Sequence, residues 1–129
     1  PCYNGFHPHL IPKKNLYGAC KVDEQENLVE IREKHSWNKD KTLDLNSPGV
    51  FFFKNSTILK KYCQQLIDED ISINNEYYMS LPFNFLVKDG LNVWCPSNVE
   101  SFCQWGTPED LEDYLYWINQ IGQFKGLQK

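Results

Sequence analysis

The sequence has no glycine-rich phosphate loop: neither GxGxxG nor GxxxxGK[ST] occurs anywhere in its 129 residues. Such loops let the backbone close on a nucleotide's phosphates, so these residues contain no recognisable nucleotide site of their own. No GxSxG elbow is present, and the five cysteines, Cys2, Cys20, Cys63, Cys95 and Cys103, form no CxxC pair. An odd, scattered set of that kind suits reduced thiols better than a disulfide framework and carries no local nucleophile signature. No apolar run approaches the ~18 residues of a membrane span, and no signal peptide is apparent. The expected location is therefore the cytoplasm, without a membrane partner. Basic residues are the minority, 13 against 17 acidic for a net charge of −4, and no basic stripe emerges. Phosphate-backbone contacts to nucleic acid are correspondingly not expected. A leading Met is missing too: the chain opens on Pro1, the pattern of a processed chain or of part of a longer protein.

What is there suffices for one folded domain over residues 1–129. Apolar residues make up 41% of the chain and aromatics 15%, enough for a single core. "PCYNGFHPHLIPKKN" reads mostly as loop. "LYGACKVD" and "LVEIREK" alternate like strands around "EQEN", which predicts a β-hairpin with a polar turn near 24–27. "HSWNKDKTLDLNSP" is polar and irregular, and "GVFFFK" reads as a short buried strand opened by Gly49. Asn55 or Ser56 caps a helix whose face carries Ile58, Leu59, Tyr62, Cys63, Leu66 and Ile67, and "DEDISIN" breaks it. Residues 76–88 read as helical, with Pro82 as a weak point and Gly90 as the stop; "LNVWC" reads as a further strand. Alternating strands and helices predict an α/β layered fold with no internal domain boundary.

The junction "QWGTPEDLEDYLYWI" is the most defined stretch near the end of the chain. Thr107 suits an N-cap, Pro108 the first helical position, Glu109 and Asp110 the positive helix end, and Thr107 with Asp110 approximates a capping box. Leu111, Tyr114, Leu115 and Ile118 then recur at helical spacing, which predicts a buried face. Capping accounts for everything after residue 106 and leaves Trp105 and Gly106 to be explained.

Three constellations could carry chemistry. Glu33 and Lys34 end the second strand, where a carboxylate can accept from hydroxyls and an ammonium can meet a phosphate. The plainer reading is a solvated charge pair. Glu76 in "NNE" could face ligand hydroxyls from a helix start, or simply compensate a helix dipole. "GFHPH" holds His7 and His9, an H-x-H pair that would chelate a metal on a strand, but Pro8 separates them and no partner is near.

Taken in order, "GFHP", "EIREK", "SPGVFFFK", "NNEYYMSLPFNFLVKDGLNVWC" and "QWGTPEDL" resemble the C-terminal half of bacterial sugar-phosphate nucleotidyltransferases of the capsule and surface-polysaccharide type. The resemblance runs from Gly5 to about Asn119. It implies an α/β, glycosyltransferase-A-like (Rossmann-like) domain with a mixed sheet and flanking helices. It also implies that the nucleotide-binding half, with its "LAAGxGxR" loop, is absent from these residues. The implied activity is transfer of an NMP from an NTP to a sugar 1-phosphate with release of pyrophosphate, for polysaccharide precursors, with Mg2+ as cofactor in the whole enzyme. Partners would be the NTP, the phosphorylated acceptor and a second copy of the chain. In relatives the strand-end pair holds sugar and phosphate, which carries over to Glu33 and Lys34. The strand-opening glycine carries over to Gly49, the "N-x-E" glutamate to Glu76, and the loop before the last helix to Trp105 and Gly106. Many relatives place an Asp metal ligand two residues before that glycine, where this chain has Gln104, a poor Mg2+ donor. No residue here is assigned a catalytic role. Two alternatives stand beside this reading. One is a cytidylyltransferase for phosphocholine or another non-sugar phosphate, with Trp37, Tyr77, Tyr78 and Trp105 as an aromatic cage. The other is a non-catalytic carbohydrate-binding or regulatory module.

Overall fold

The computed structural model describes residues 1–5, 15–100 and 102–126. The hairpin is where the alternation puts it. β1 (Gly18–Val22) pairs antiparallel with β2 (Leu28–Glu33), in a register that sets Gly18 opposite Glu33. The turn between them is knotted by Asp23, whose carboxylate accepts from the backbone N–H groups of Gln25 and Asn27. Glu26 takes the left-handed conformation there, φ 61°. On its other edge β1 meets β3 (Leu45–Asn46), giving the antiparallel order β2-β1-β3, and Tyr3 bridges to Asn46. The predicted irregular stretch thus hides a strand. It is made possible by a 3-10 turn at Lys41–Leu43 and by Asn46, whose buried side chain donates to the Asp44 carbonyl and accepts from Asn15.

α1 (Ser56–Asp68) starts where expected, with the Asn55 side chain accepting from Ile58 N–H at 3.0 Å. It buries a narrower stripe than its pattern suggests, centred on Tyr62 and Leu66, while Ile67 is exposed. α2 is Pro82–Lys88 rather than a helix from residue 76. Pro82 begins it, as suits a residue with no N–H to donate. Residues 73–76 instead form a tight turn: Asn74 and Asn75 sit at φ 54° and 63°, and Ile73 and Glu76 exchange both backbone hydrogen bonds. Two adjacent asparagines at positive φ are the signature of a type I′ turn. α2 ends at Gly90, φ 75°, with Gly90 N–H on Val87 and Leu91 N–H on Leu86, a Schellman motif.

Two apolar clusters meet at α2. Cys2, Cys20, Leu28, Ile31, Phe83 and Cys95 pack between sheet and helix; Tyr62, Leu66, Leu81, Phe85 and Leu86 pack between α1 and α2. Asn84 of α2 clamps the open edge of β2, accepting from Ile31 N–H and donating to Ile31 C=O, both at 2.9 Å. That clamp satisfies backbone groups that would otherwise face no strand. It also fixes the residues just before α2 beside the end of β2.

The chain is therefore α/β, but the sheet of the described residues is purely antiparallel rather than mixed. Neither "GVFFFK" nor "LNVWC" forms a strand. Phe51 and Phe53 alternate inward onto Phe83, at ring distances of 5.4 and 4.7 Å, and Phe52 points out, 84% exposed. The segment is extended, yet no described strand pairs with it. "LNVWC" makes a single antiparallel bridge, Asn27 to Trp94. α3 (Pro108–Gly126) has the expected capping box, Thr107 N–H on Asp110 and Asp110 N–H on Thr107, both at 3.2 Å. Its predicted buried face is not buried: Leu111, Leu115 and Ile118 are all exposed, Leu115 by 50%. The apolar periodicity is real, but no described element covers it.

Candidate functional site

β2 ends on a polar pair in an unusual backbone setting. Lys34, directly after Glu33, lies at φ 53°, a region disfavoured for a residue with a side chain, with its N–H held by the Tyr17 carbonyl at 3.0 Å. This left-handed step turns successive side chains to different sides. Glu33 folds inward across the glycine opposite it, so closely that a Cβ on Gly18 would lie 2.7 Å from Glu33 Oε1. A glycine at 18 leaves the carboxylate that place without displacing it. Ser80, buried just before α2, donates its hydroxyl to the same carboxylate oxygen. Burial pushes the Glu33 carboxyl above the ordinary range, against the smaller opposing effects of the Ser80 hydrogen bond and the Lys34 charge.

Lys34 turns outward to the tip of the 73–76 turn. Its Nζ lies 3.7 Å from Glu76 Oε2 and 5.2 Å from the centre of the Tyr78 ring, and the Tyr78 hydroxyl donates to Glu76. That hydroxyl, followed by the Lys34 charge, holds Glu76 below the usual carboxylate range.

Glu33, Ser80 and Tyr78 line a cleft of about 320 Å³. Tyr17, Phe51 and Tyr78 form apolar walls, while Glu33, Ser47 and Ser80 supply polar atoms, with Gly18 and Gly49 in its lining. Gly49 sits at φ 78°, and nothing lies within 4 Å of where its Cβ would be. It is glycine for its backbone conformation, not for close packing. Ser47 braces the turn by accepting from Gly49 N–H at 3.2 Å.

Glu33 and Gly49 thus line one cleft, with Lys34 and Glu76 joined to it through Tyr78. Glu76 reaches that place from a turn, not from a helix start. Trp105 and Gly106 are not among the residues lining it. Trp105 is 55% exposed and packs on Tyr114 of α3 at 4.9 Å, so it braces its own helix. Gly106 is not at positive φ. A Cβ there would meet the Gln104 side-chain amide at 2.4 Å. The four aromatics of the cage alternative belong to separate contacts: Trp37 carries Arg32 at 4.6 Å, Tyr78 carries Lys34, Tyr77 donates to Asp70 and Trp105 lies on Tyr114. His7 and His9 lie outside the described residues.

Ser80 and Gly18 were not singled out in the sequence, and Tyr78 was named there only for the aromatic cage. A signal for Gly18 existed, because a hairpin turning at 23–27 sets it across from Glu33. Among the described residues the one group of three His, Cys, Asp or Glu side chains converging on a point is Cys2, Cys20 and Cys95. Soft thiols do not suit Mg2+, which takes oxygen donors, and the carboxylates of the cleft are engaged by Ser80, Tyr78 and Lys34. Neither this cluster nor the carboxylates of Glu33 and Glu76 fits Mg2+. No helix among the described residues is long and apolar enough to cross a membrane. No family model matches the chain, and neither a curated protein nor a solved structure matches it.

Proposed function

We propose that this chain is the acceptor-binding half of a nucleotidyltransferase and that its cleft takes a sugar 1-phosphate. The observation that supports this most is the meeting of Glu33 and Gly49 in one cleft, with Lys34 and Glu76 joined to it through Tyr78. A pyranose has apolar ring faces and a rim of hydroxyls. Tyr17, Phe51 and Tyr78 offer surfaces for the first, and the Glu33 carboxylate with Ser47 and Ser80 offers partners for the second. The Lys34 ammonium, held over the Tyr78 ring and by an exposed ion pair, can exchange Glu76 for a ligand phosphate. In the whole enzyme the acceptor phosphate oxygen would attack the α-phosphorus of an NTP in line and expel pyrophosphate. The part played by these residues is positioning: Glu33 orients the ring and Lys34 steadies the phosphate that attacks. Mg2+ in this reading belongs to the nucleotide-binding half, and no step assigned to these residues runs through it.

A carbohydrate-binding module would use the same cleft without transfer. Titrating the isotope-labelled chain with hexose 1-phosphates by two-dimensional NMR tests the reading. Amide shifts should centre on Tyr17, Gly18, Lys34, Gly49 and Ser80. Shifts centred elsewhere, or none at millimolar ligand, would defeat it.

A further inference from the structure

Cys2, Cys20 and Cys95 come from three separate parts of the chain, and their sulfur atoms all lie within 4.8 Å of one another. All three are buried and none is in a disulfide. Their positions are set by backbone. Cys2 N–H donates to Pro96 C=O at 2.8 Å, Cys95 N–H donates to Glu26 C=O at 2.8 Å, and Cys20 sits mid-strand between Ile31 and Leu45. Burial of a thiol needs no special cause, since a free cysteine packs like a small apolar residue. Packing does not, however, require three sulfurs from distant segments to face a common point.

We propose that these three cysteines form a trithiolate site for a soft, thiophilic cation of the zinc type. Two thiolates on a tetrahedral zinc, each at about 2.3 Å, stand about 3.8 Å apart. The Cys2 and Cys20 sulfurs are 3.8 Å apart already. All three cysteines also line an apolar cavity of about 580 Å³, which reaches the polar side chains of Ser47 and Asn98. The cavity provides an entry path and room for a water as fourth ligand, the arrangement of a zinc site with an open position. On binding, each thiol passes its proton to solvent, and three thiolates around a dication leave one net negative charge. The site is independent of the sugar-phosphate reading, and neither stands or falls with the other.

The test uses the reduced full chain, with Zn2+ and the spectroscopic probe Co2+. One ion should bind per chain, with a thiolate-to-cobalt charge-transfer band, proton release and a higher Tm. Cys20→Ala and Cys95→Ala should abolish the band, while Cys63→Ala and Cys103→Ala should keep it. Should a core variant fail to fold, X-ray absorption on the zinc-loaded wild type decides by itself, with three sulfur neighbours at about 2.3 Å expected. A folded, reduced wild type that binds no ion, fewer than three sulfurs around the zinc, or a band that depends on Cys63 or Cys103 would overturn the proposal.

Discussion

Replacing Gly18 with alanine separates the cleft from the fold. The new methyl would lie 2.7 Å from Glu33 Oε1, 3.2 Å from its Cδ and 3.4 Å from Ile31 Cδ1. The first contact is impossible and the last is ordinary. Relief therefore comes from the flexible end of Glu33, whose carboxylate must leave Ser80 and swing out of the cleft. The fold loses one hydrogen bond to a charged acceptor, worth about 1.5–3 kcal/mol. It regains about 0.4–1 kcal/mol because alanine restricts the unfolded chain more than glycine does. The net cost is about 0.5–2.5 kcal/mol, a shift of several degrees in Tm. A ligand held by the same carboxylate loses its charge-assisted contact, about 1.5–3 kcal/mol, or roughly 10- to 150-fold in Kd. Chemical denaturation and calorimetric titration with a sugar 1-phosphate, run on the same preparations, read the two effects. A folded protein that loses at most about 2.5 kcal/mol of stability and binds tenfold or more weakly is expected. Wild-type affinity in a folded Gly18→Ala protein would refute the placement of Glu33 in the ligand site.

Lys34 is held at positive φ, so Lys34→Gly relieves backbone strain while removing the ammonium. It should melt at a higher temperature than wild type yet bind a sugar 1-phosphate about tenfold more weakly; unchanged affinity in the folded variant would point to a solvated strand tip. The raised Glu33 pKa gives a pH test with a definite sign. The folded state keeps the Glu33 proton longer than the unfolded one, so stability falls as pH rises from the ordinary carboxyl value through the raised one. Ligand affinity rises over the same window as the carboxylate forms, and Glu33→Gln should flatten both curves. Thr107→Ala breaks a reciprocal cap whose residues do not line the cleft and should cost about 1 kcal/mol of stability with unchanged affinity; an affinity loss would tie α3 to the site.

What was legible in the sequence was local. The hairpin turn, the Asn55 cap, the Gly90 stop and the Thr107–Asp110 box each rest on residues within a few positions of one another. What was not legible depends on distant partners. "GVFFFK" has strand-like residues and strand-like alternation, but a strand exists only if another pairs with it, and no described one does. The α3 stripe likewise has the pattern of a buried face without a covering element. Glu76 was misplaced for a different reason. The Asn74–Asn75 pair that makes its turn was visible, but the apolar run beyond it outweighed the turn signal. The cleft itself is only half legible. Glu33, Lys34 and Gly49 stand out in sequence, whereas Ser80 and Tyr78 join them only because the Asn84 clamp carries the start of α2 to the end of β2.

The central claim is that one cleft reads both a sugar and its phosphate, and a single calorimetric comparison tests it. A hexose 1-phosphate, the free hexose and inorganic phosphate are titrated into the wild-type chain and into Lys34→Ala. The account predicts measurable binding of the hexose 1-phosphate alone by the wild type, with Lys34→Ala reducing it toward the weak level of the free sugar. Equal affinity for hexose and hexose 1-phosphate, unchanged by the loss of Lys34 in a folded protein, would contradict it.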